Sequence, residues 1–297
     1  MLHDRMLNVF SVDVEDYFQV SGFESHILRT DWHRYESRVV PNTHRILDLL
    51  AEKGVTATFF VLGWVAEHFP HLVRAIHKAG HEIGSHGYWH QLVYNLSPDE
   101  FRADLRRSKN AIEDAAGVRV DCYRAPSFSI TAKSLWALDV LVQEGFTCDS
   151  SIFPVKRERY GMNDCPPGIH SIETPSGAIT EFPMTSVRYG RLALPVGGGG
   201  YFRLYPLTVT KKLLYAVNRQ HNRCFMFYIH PWEVDPLQPR LRVGSRLSRW
   251  RHYVNLQPTV AKLRELLGDF RFGTLCQVIA EDRLAKSDRA CFADASK

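Results

Sequence analysis

Short apolar runs alternate with amphipathic stretches along most of the chain. Leu7–Asp13, the start of "LNVFSVDVED", has the strand-like apolar pattern and runs directly into acids. "PNTHRILDLLAEK" (41–53) sets apolar residues at helical spacing behind a proline and stops at Gly54, which predicts a helix. "VTATFFV" (55–61) is β-branched and aromatic, a buried strand by composition. A helix is predicted over 64–78, then a short strand in "HEIGSH" (81–86). The "SPDE" at 97–100 opens a helix to 116, with an N-cap serine, proline at N1 and acids in the first turn. The alternation continues with strand 119–124, helix 131–144, strand 145–149, strand-like pieces near 169–184, helix 206–220, strand 224–230, helix 257–267 and a short strand 270–275.

Repeated β-then-α units imply an α/β fold with a mainly parallel sheet, doubly wound or closed into a barrel. Eight or so strands over roughly 270 residues favour the barrel, whose chemistry gathers at the C-terminal ends of its strands. A single domain is expected over 1–285, with an irregular insertion around 155–205 and a tail over 286–297. The insertion contains "PVGGGGYFR" (195–203). It reads as a flexible loop or, more sharply, a loop that covers substrate. It is not a P-loop, because no Lys-Ser/Thr follows and no helix is expected to open there.

The strand ends carry the polar residues of interest. The first ends in Asp13, Glu15 and Asp16, an expensive set to bury unless something pairs with it. "SHGYWH" carries His86 and His90, spaced so that on a helical turn both imidazoles face one cation. Arg124, Asp149 and His230 end three further strands. Two histidines and one carboxylate make a three-ligand site with positions left for water and substrate. A second carboxylate beside the cation could take a proton from water, and His230 could give one to a leaving group. That is metal-assisted hydrolysis of an acyl bond, an amide being the natural target because an amine must be protonated to leave. His81-Glu82 is not the metalloprotease helix motif, since Ser85 stands where the second histidine belongs.

Composition narrows the class without changing it. The chain has 297 residues, 45% hydrophobic and 23% charged, with 14 histidines and a formal net charge of +5. That charge alone does not imply nucleic acid, and none is expected as partner. The six cysteines form no CxxC, which argues against a zinc ribbon, redox pair or disulfide framework and fits a reducing compartment. The N-terminal segment has no long apolar core of a signal peptide, and no run of about 18 apolar residues spans a membrane. The expected location is cytoplasmic, at the inner face of the membrane if anywhere near one.

In order along the chain, "SVDVED", "SHGYWH", "RAPSFS", "DSSIFP" and "YIHPWE" resemble the five motifs of the NodB-homology polysaccharide deacetylases, carbohydrate esterase family 4. "DVEDYF", "GYWH" and "GGGGYFR" are most similar to the branch found beside exosortase and exopolysaccharide gene clusters. The resemblance covers roughly residues 7–275. It implies a distorted (β/α) barrel and a divalent metal, usually zinc, that helps remove acetyl groups from an N-acetylated polysaccharide or its lipid-linked precursor. It further implies His86 and His90 as metal ligands, Asp13 as general base, Arg124 as the residue orienting it, His230 as general acid and Asp149 as the acid tuning His230. Where the family commonly has two adjacent aspartates, this chain has Asp13, Val14, Glu15 and Asp16. Strand alternation favours Glu15 as third ligand; residue type favours Asp16, the preferred reading. Ser127 stands at a position often held by tyrosine and Tyr228 at one usually held by leucine, a wall of the acetyl pocket. Trp232 and Tyr201 are either core or platforms for a sugar face. Allantoinase-like hydrolysis of another C–N bond and an inactive carbohydrate-binding relative are the alternatives. The arginine-rich run 239–255 reads as a solvated segment, or as one that meets an anionic polysaccharide, a lipid-linked pyrophosphate or membrane headgroups.

Overall fold

The structure, a computed structural model, describes residues 6–155, 161–162, 165–190 and 192–294. In chain order the elements are β1 (Leu7–Val14), α1 (Val39–Lys53), β2 (Thr58–Val61), α2 (Gly63–His68), α3 (Pro70–Lys78), β3 (Glu82–Ser85), α4 (Pro98–Ala116), β4 (Cys122–Tyr123), α5 (Trp136–Gln143) and β5 (Cys148–Asp149). There follow β6 (His170–Thr174), β7 (Gly177–Glu181), β8 (Ser186–Tyr189), β9 (Leu192–Pro195), α6 (Gly199–Leu204), α7 (Leu207–Arg219), β10 (Met226–Ile229), α8 (Arg246–Tyr253), α9 (Thr259–Asp269), β11 (Arg271–Gly273) and α10 (Leu275–Asp294).

β1 is buried almost throughout because it lies mid-sheet with both faces covered. The nine-stranded sheet runs β10-β1-β2-β3-β4-β5-β7-β6, with β11 also on β1. All its pairings are parallel except β6 with β7. The gap between β7 and β10 is bridged by irregular chain. Met184 N–H donates to Ile152 O, and Thr185 exchanges hydrogen bonds with the Met226 backbone. Tyr228 N–H donates to Gly197 O. The result is a curled sheet with helices outside, a distorted barrel as expected. Period-two alternation separates two cores. Val12, Phe59 and Phe227 pack towards the helices, whereas Val9, Phe60, Met226 and Tyr228 fill the interior.

Local signals explain most boundaries. Ser97 and Glu100 form a reciprocal capping box on α4, with Pro98 at its first position. Gly54 ends α1 with φ 61°, the left-handed conformation glycine tolerates. The helix predicted over 64–78 is two helices, α2 and α3, because Pro70 lacks an N–H and starts a new one. α10 continues to Asp294, where a tail is expected from 286.

The structure departs from two sequence expectations. The glycine run is not a free loop, and a helix does open there. Gly198 has φ 120° and lies so close to β10 that a Cβ would sit 2.0 Å from Tyr228 O. α6 begins at Gly199. The glycines are needed so that this segment can press on β10 and start α6. Cys122 and Cys148, 26 residues apart, form a disulfide. Their spacing conceals that they are register partners on neighbouring strands. Cys276 Sγ lies 3.6 Å from Cys122 Sγ at the same end of the sheet.

Candidate active site at the strand ends

Val9, Ser11, Asp13 and Glu15 share the interior face of β1 and its extension, by strand periodicity. Asp13 meets Arg124, fully buried just past β4, at 2.7 Å between Oδ1 and Nη1. A buried charge pair is costly unless its remaining hydrogen bonds are made. Here they are: Arg124 donates to Ser11 Oγ at 2.8 Å, Ser150 O at 3.2 Å and Ser150 Oγ at 3.1 Å. Its guanidinium also lies 4.2 Å over the Phe60 ring.

Glu15, His86 and His90 bring one donor atom each within 4.8 Å of one another, and all three are buried. His86 Nδ1 contacts Arg124 O at 2.8 Å, which turns its other nitrogen inward. Burial pushes His86 down to about 4, against the raising pull of Asp13 and Glu15, so the ring is neutral and able to ligate. Burial alone would raise Glu15, but His90, His230 and His86 outweigh it and hold the carboxyl at about 2. Glu15 Oε2 is buried and makes no hydrogen bond, although His90 Nε2 lies 2.7 Å away. An ionised carboxylate beside two buried imidazoles offers the lone pairs that a divalent cation takes, so these residues fit the metal the resemblance implies.

Asp16, the preferred third ligand by residue type, is not among them. Its Oδ2 accepts hydrogen bonds from Ser37 Oγ at 2.6 Å and from the Arg38 and Val39 amides, holding the start of α1. Burial pushes it up to about 6 in spite of these donors. β1 has ended by then, and the chain has turned Asp16 away.

His230 presents Nε2 to Asp13 Oδ2 at 3.9 Å and to Glu15 Oε1 at 3.7 Å. Its Nδ1 is held by Glu233 Oε1 at 2.8 Å. Burial would lower its pKa, but the Glu233 hydrogen bond and the charges of Glu15, Glu233 and Asp13 raise it to about 9. Asp149 therefore does not hold His230, contrary to expectation. Asp149 is the register partner of Glu181 and accepts from Ser151 Oγ. Burial raises both carboxyls, Glu181 further because of the negative charge beside it.

Glu233 and its own partner were not singled out from sequence. Arg203, from α6, donates to Glu233 Oε2 at 2.6 Å. It also donates to the carbonyls of Arg251, His252 and Val254, at the end of α8. The available signal was "HPWE": proline at N1 and glutamate at N3 mark a capping box, with His230 as the cap.

The remaining candidates divide. Tyr228 walls the interior edge-on to Phe128 and His230, at ring separations of 5.1 and 5.5 Å. Ser127 lies near His90: Ser21 Oγ contacts Ser127 Oγ at 2.8 Å and His90 Nδ1 at 3.5 Å. His90, Ser127 and Phe128 all have positive φ, near 50°. Such backbone strain in residues other than glycine gathers at functional sites. Trp232 is no sugar platform, because His230 and His252 stack on it at 5.1 and 4.2 Å. Its Nε1–H donates to Glu15 Oε1 at 3.2 Å. Tyr201, half-buried on α6, packs near Tyr205 at 6.0 Å.

Two other features stand apart. A cleft of about 400 Å³ lined by Glu67, Arg74, Arg107 and Asp114 shares no residue with this centre. Cys122, Cys148 and Cys276 are also close enough to hold a metal, but two of their sulfurs are bonded to each other.

Fold and centre together define an α/β protein of the distorted-barrel class, with carboxylates, imidazoles and an arginine gathered at the strand ends. Residues 34–145 match the family profile described as polysaccharide deacetylase, and residues 150–280 match a domain of unknown function, DUF3473. A peptidoglycan-N-acetylglucosamine deacetylase from Bacillus cereus is 32% identical over 120 residues, 36% of this chain and 44% of that protein. A chitooligosaccharide deacetylase from Rhizobium leguminosarum bv. trifolii is 33% identical over 104 residues, 34% of this chain and 46% of that protein. The matched region thus spans less than half of either relative. In fold, the chain is similar to a Mycobacterium smegmatis protein assigned to the polysaccharide deacetylases, with a TM-score of 0.60, 21% identity and coverage of 96% of this chain and 93% of that one. The profile match and the relatives thus show a similarity to polysaccharide deacetylases over the first half of the chain. Strands from both matched segments join one sheet. Of the centre, His86, His90 and Arg124 lie in the deacetylase match, Glu233 and His230 in the other, and Asp13 and Glu15 before both.

Proposed function

We propose that this chain is a metal-dependent N-deacetylase acting on an N-acetylated exopolysaccharide or its lipid-linked precursor. The observation that carries the proposal is the convergence of Glu15, His86 and His90 beside two prepared proton-transfer pairs, Asp13–Arg124 and His230–Glu233. Glu15, His86 and His90 would hold the cation, with zinc the expected metal. When bound, it supplies Lewis acidity toward the acetyl carbonyl and makes water a better nucleophile at neutral pH.

The protein's own residues do the rest. Arg124 fixes Asp13 with one carboxylate oxygen engaged, leaving Oδ2 facing the centre to accept the proton of the attacking water. His230, held at Nδ1 by Glu233, directs Nε2 inward and donates the proton that the departing sugar amine needs. Tyr228 and Phe128 provide an apolar wall suited to an acetyl methyl.

The test is acetate release from N-acetylated glycan oligomers, together with metal content. Chelation should abolish release and added zinc restore it. Glu15→Ala should lose both metal and activity, whereas Asp16→Ala should keep its metal and lose stability. Full activity in the chelated protein, or metal retained by Glu15→Ala, would contradict the proposal.

A further inference from the structure

The arginine-rich run is not used by this chemistry, yet it is firmly built. No acidic residue occurs between Asp235 and Glu265, while Arg240, Arg242, Arg246, Arg249 and Arg251 fall within it. Among the described residues none of these five arginines forms an ion pair. The segment is nevertheless pinned to the molecule. His252 stacks on Trp232 and contacts Gln238 Oε1 at 2.9 Å, and Gln238 in turn donates to Trp232 O. Tyr253 Oη accepts from Leu241 N–H and donates to Pro239 O. Arg203 binds three carbonyls at the end of α8.

What this anchoring leaves outside is specific. With His252 facing inward, helical spacing puts Arg246, Trp250, Leu247 and Arg251 in that order around the outer arc of α8. Leu247 and Trp250 are each 53% exposed, and Leu237, just before the run, is 80% exposed. Two apolar side chains flanked by arginines form the pattern of an interfacial helix. The apolar groups enter the headgroup–acyl boundary, and the long cationic side chains reach back to the phosphates.

We propose that α8 and the segment from Leu237 dock the protein on an anionic lipid surface. A soluble polyanion would use the arginines but gain nothing from exposing Trp250, Leu247 and Leu237. A second copy of the chain in a two-fold contact would set this unpaired positive face against itself. Because α8 rests on Trp232, which stacks on His230, docking brings the catalytic mouth near the membrane. That placement suits a lipid-linked saccharide; this last point alone rests on the proposed deacetylase function.

Co-sedimentation with phosphatidylcholine vesicles, with and without phosphatidylglycerol, tests the docking. The expected result is binding to the anionic vesicles, weakened by salt and at least ten-fold weaker without phosphatidylglycerol. Arg246→Gln should weaken binding about five-fold, the usual contribution of one surface arginine. Leu247→Ser/Trp250→Ser should weaken it more than ten-fold while acetate release from soluble oligomers is unchanged. Three results overturn docking: no vesicle binding by the intact chain, binding that survives Leu247→Ser/Trp250→Ser, or loss of exposure of this face through dimerisation in light scattering. Vesicle binding without acetate release would defeat the deacetylase reading and leave the docking standing.

Discussion

Glu233 is the residue whose role is most separable from the rest of the centre. It touches neither the three candidate ligands nor Asp13; it acts on His230 through Nδ1. Replacing it with glutamine keeps the size but removes the charge that stabilises the imidazolium. Glu233→Gln is expected to lower kcat by about 100-fold, the lower end of a general-acid contribution, with metal content unchanged. Glu233→Asp should recover part of that loss, and Asp149→Asn should cost less than Glu233→Gln. Kinetics combined with metal analysis would check all three. At this scale Asp13, His86, His90, Arg124 and His230 stand at strand ends in the sequence, and the structure gathers them at one place. Two expectations that follow residue habit meet a different geometry. Strand alternation pointed to Glu15, and habit pointed to Asp16. In the structure Glu15, in the turn just past the end of β1 at Val14, is the acid beside His86 and His90. Asp149 and Glu233 exchanged expected roles because which acid reaches His230 depends on an i,i+3 turn after β10, which no motif match reveals.

Among the elements, the segment from Gly197 to Leu204 has the greatest consequence for its length. It bridges to β10, then delivers Arg203 to Glu233. Gly198→Ala would force a Cβ against Tyr228 O in a backbone conformation that L-residues avoid. Thermal or urea unfolding should show a loss of at least about 2 kcal/mol, and kcat should fall as well because α6 and Arg203 must shift. The main helices and most strands were visible from periodicity and caps. β8, β9, α6, α8 and α10 were not. α6 is short and begins with glycines, and α8 is so rich in arginine that its inward side is reduced mainly to His252. α2 and α3 merged in the pattern because one apolar face continues across Pro70.

For the molecule as a whole, two buried histidines, His252 and His86, each contribute stability that is lost toward acid. His252 is pushed down to about 3, first by burial and then by Arg203, with Glu15 and Glu233 pulling the other way and His230 adding to the fall. Its folded pKa lies below the ordinary value of about 6.5, so the unfolded chain takes up the proton first. Stability from this group is complete above pH 6.5 and is lost as pH falls toward 3. The slope is at most about 1.4 kcal/mol per pH unit. His86, held down to about 4 by burial, acts in the same direction. Asp16, Asp149 and Glu181, whose carboxyls are raised by burial, act in the opposite direction, so the check is a difference: between pH 7 and pH 5 the urea midpoint of the intact protein should change less favourably than that of His252→Gln. The same pH dependence in the two proteins would contradict the assignment. No helix of the described residues is long and apolar enough to cross a membrane, which is compatible with contact from one side through α8.

By itself the sequence determined the alternation of strand and helix, the parallel character of the sheet and the set of residue types at the strand ends. These follow from local periodicity and capping, which operate within a few residues. Tertiary structure decided which acid faces the histidines, which carboxylate holds His230, that the glycine run is a packed bridge and that Cys122 and Cys148 meet. Each of those depends on two segments far apart in the chain arriving at one place, and the curl of the sheet sets that meeting.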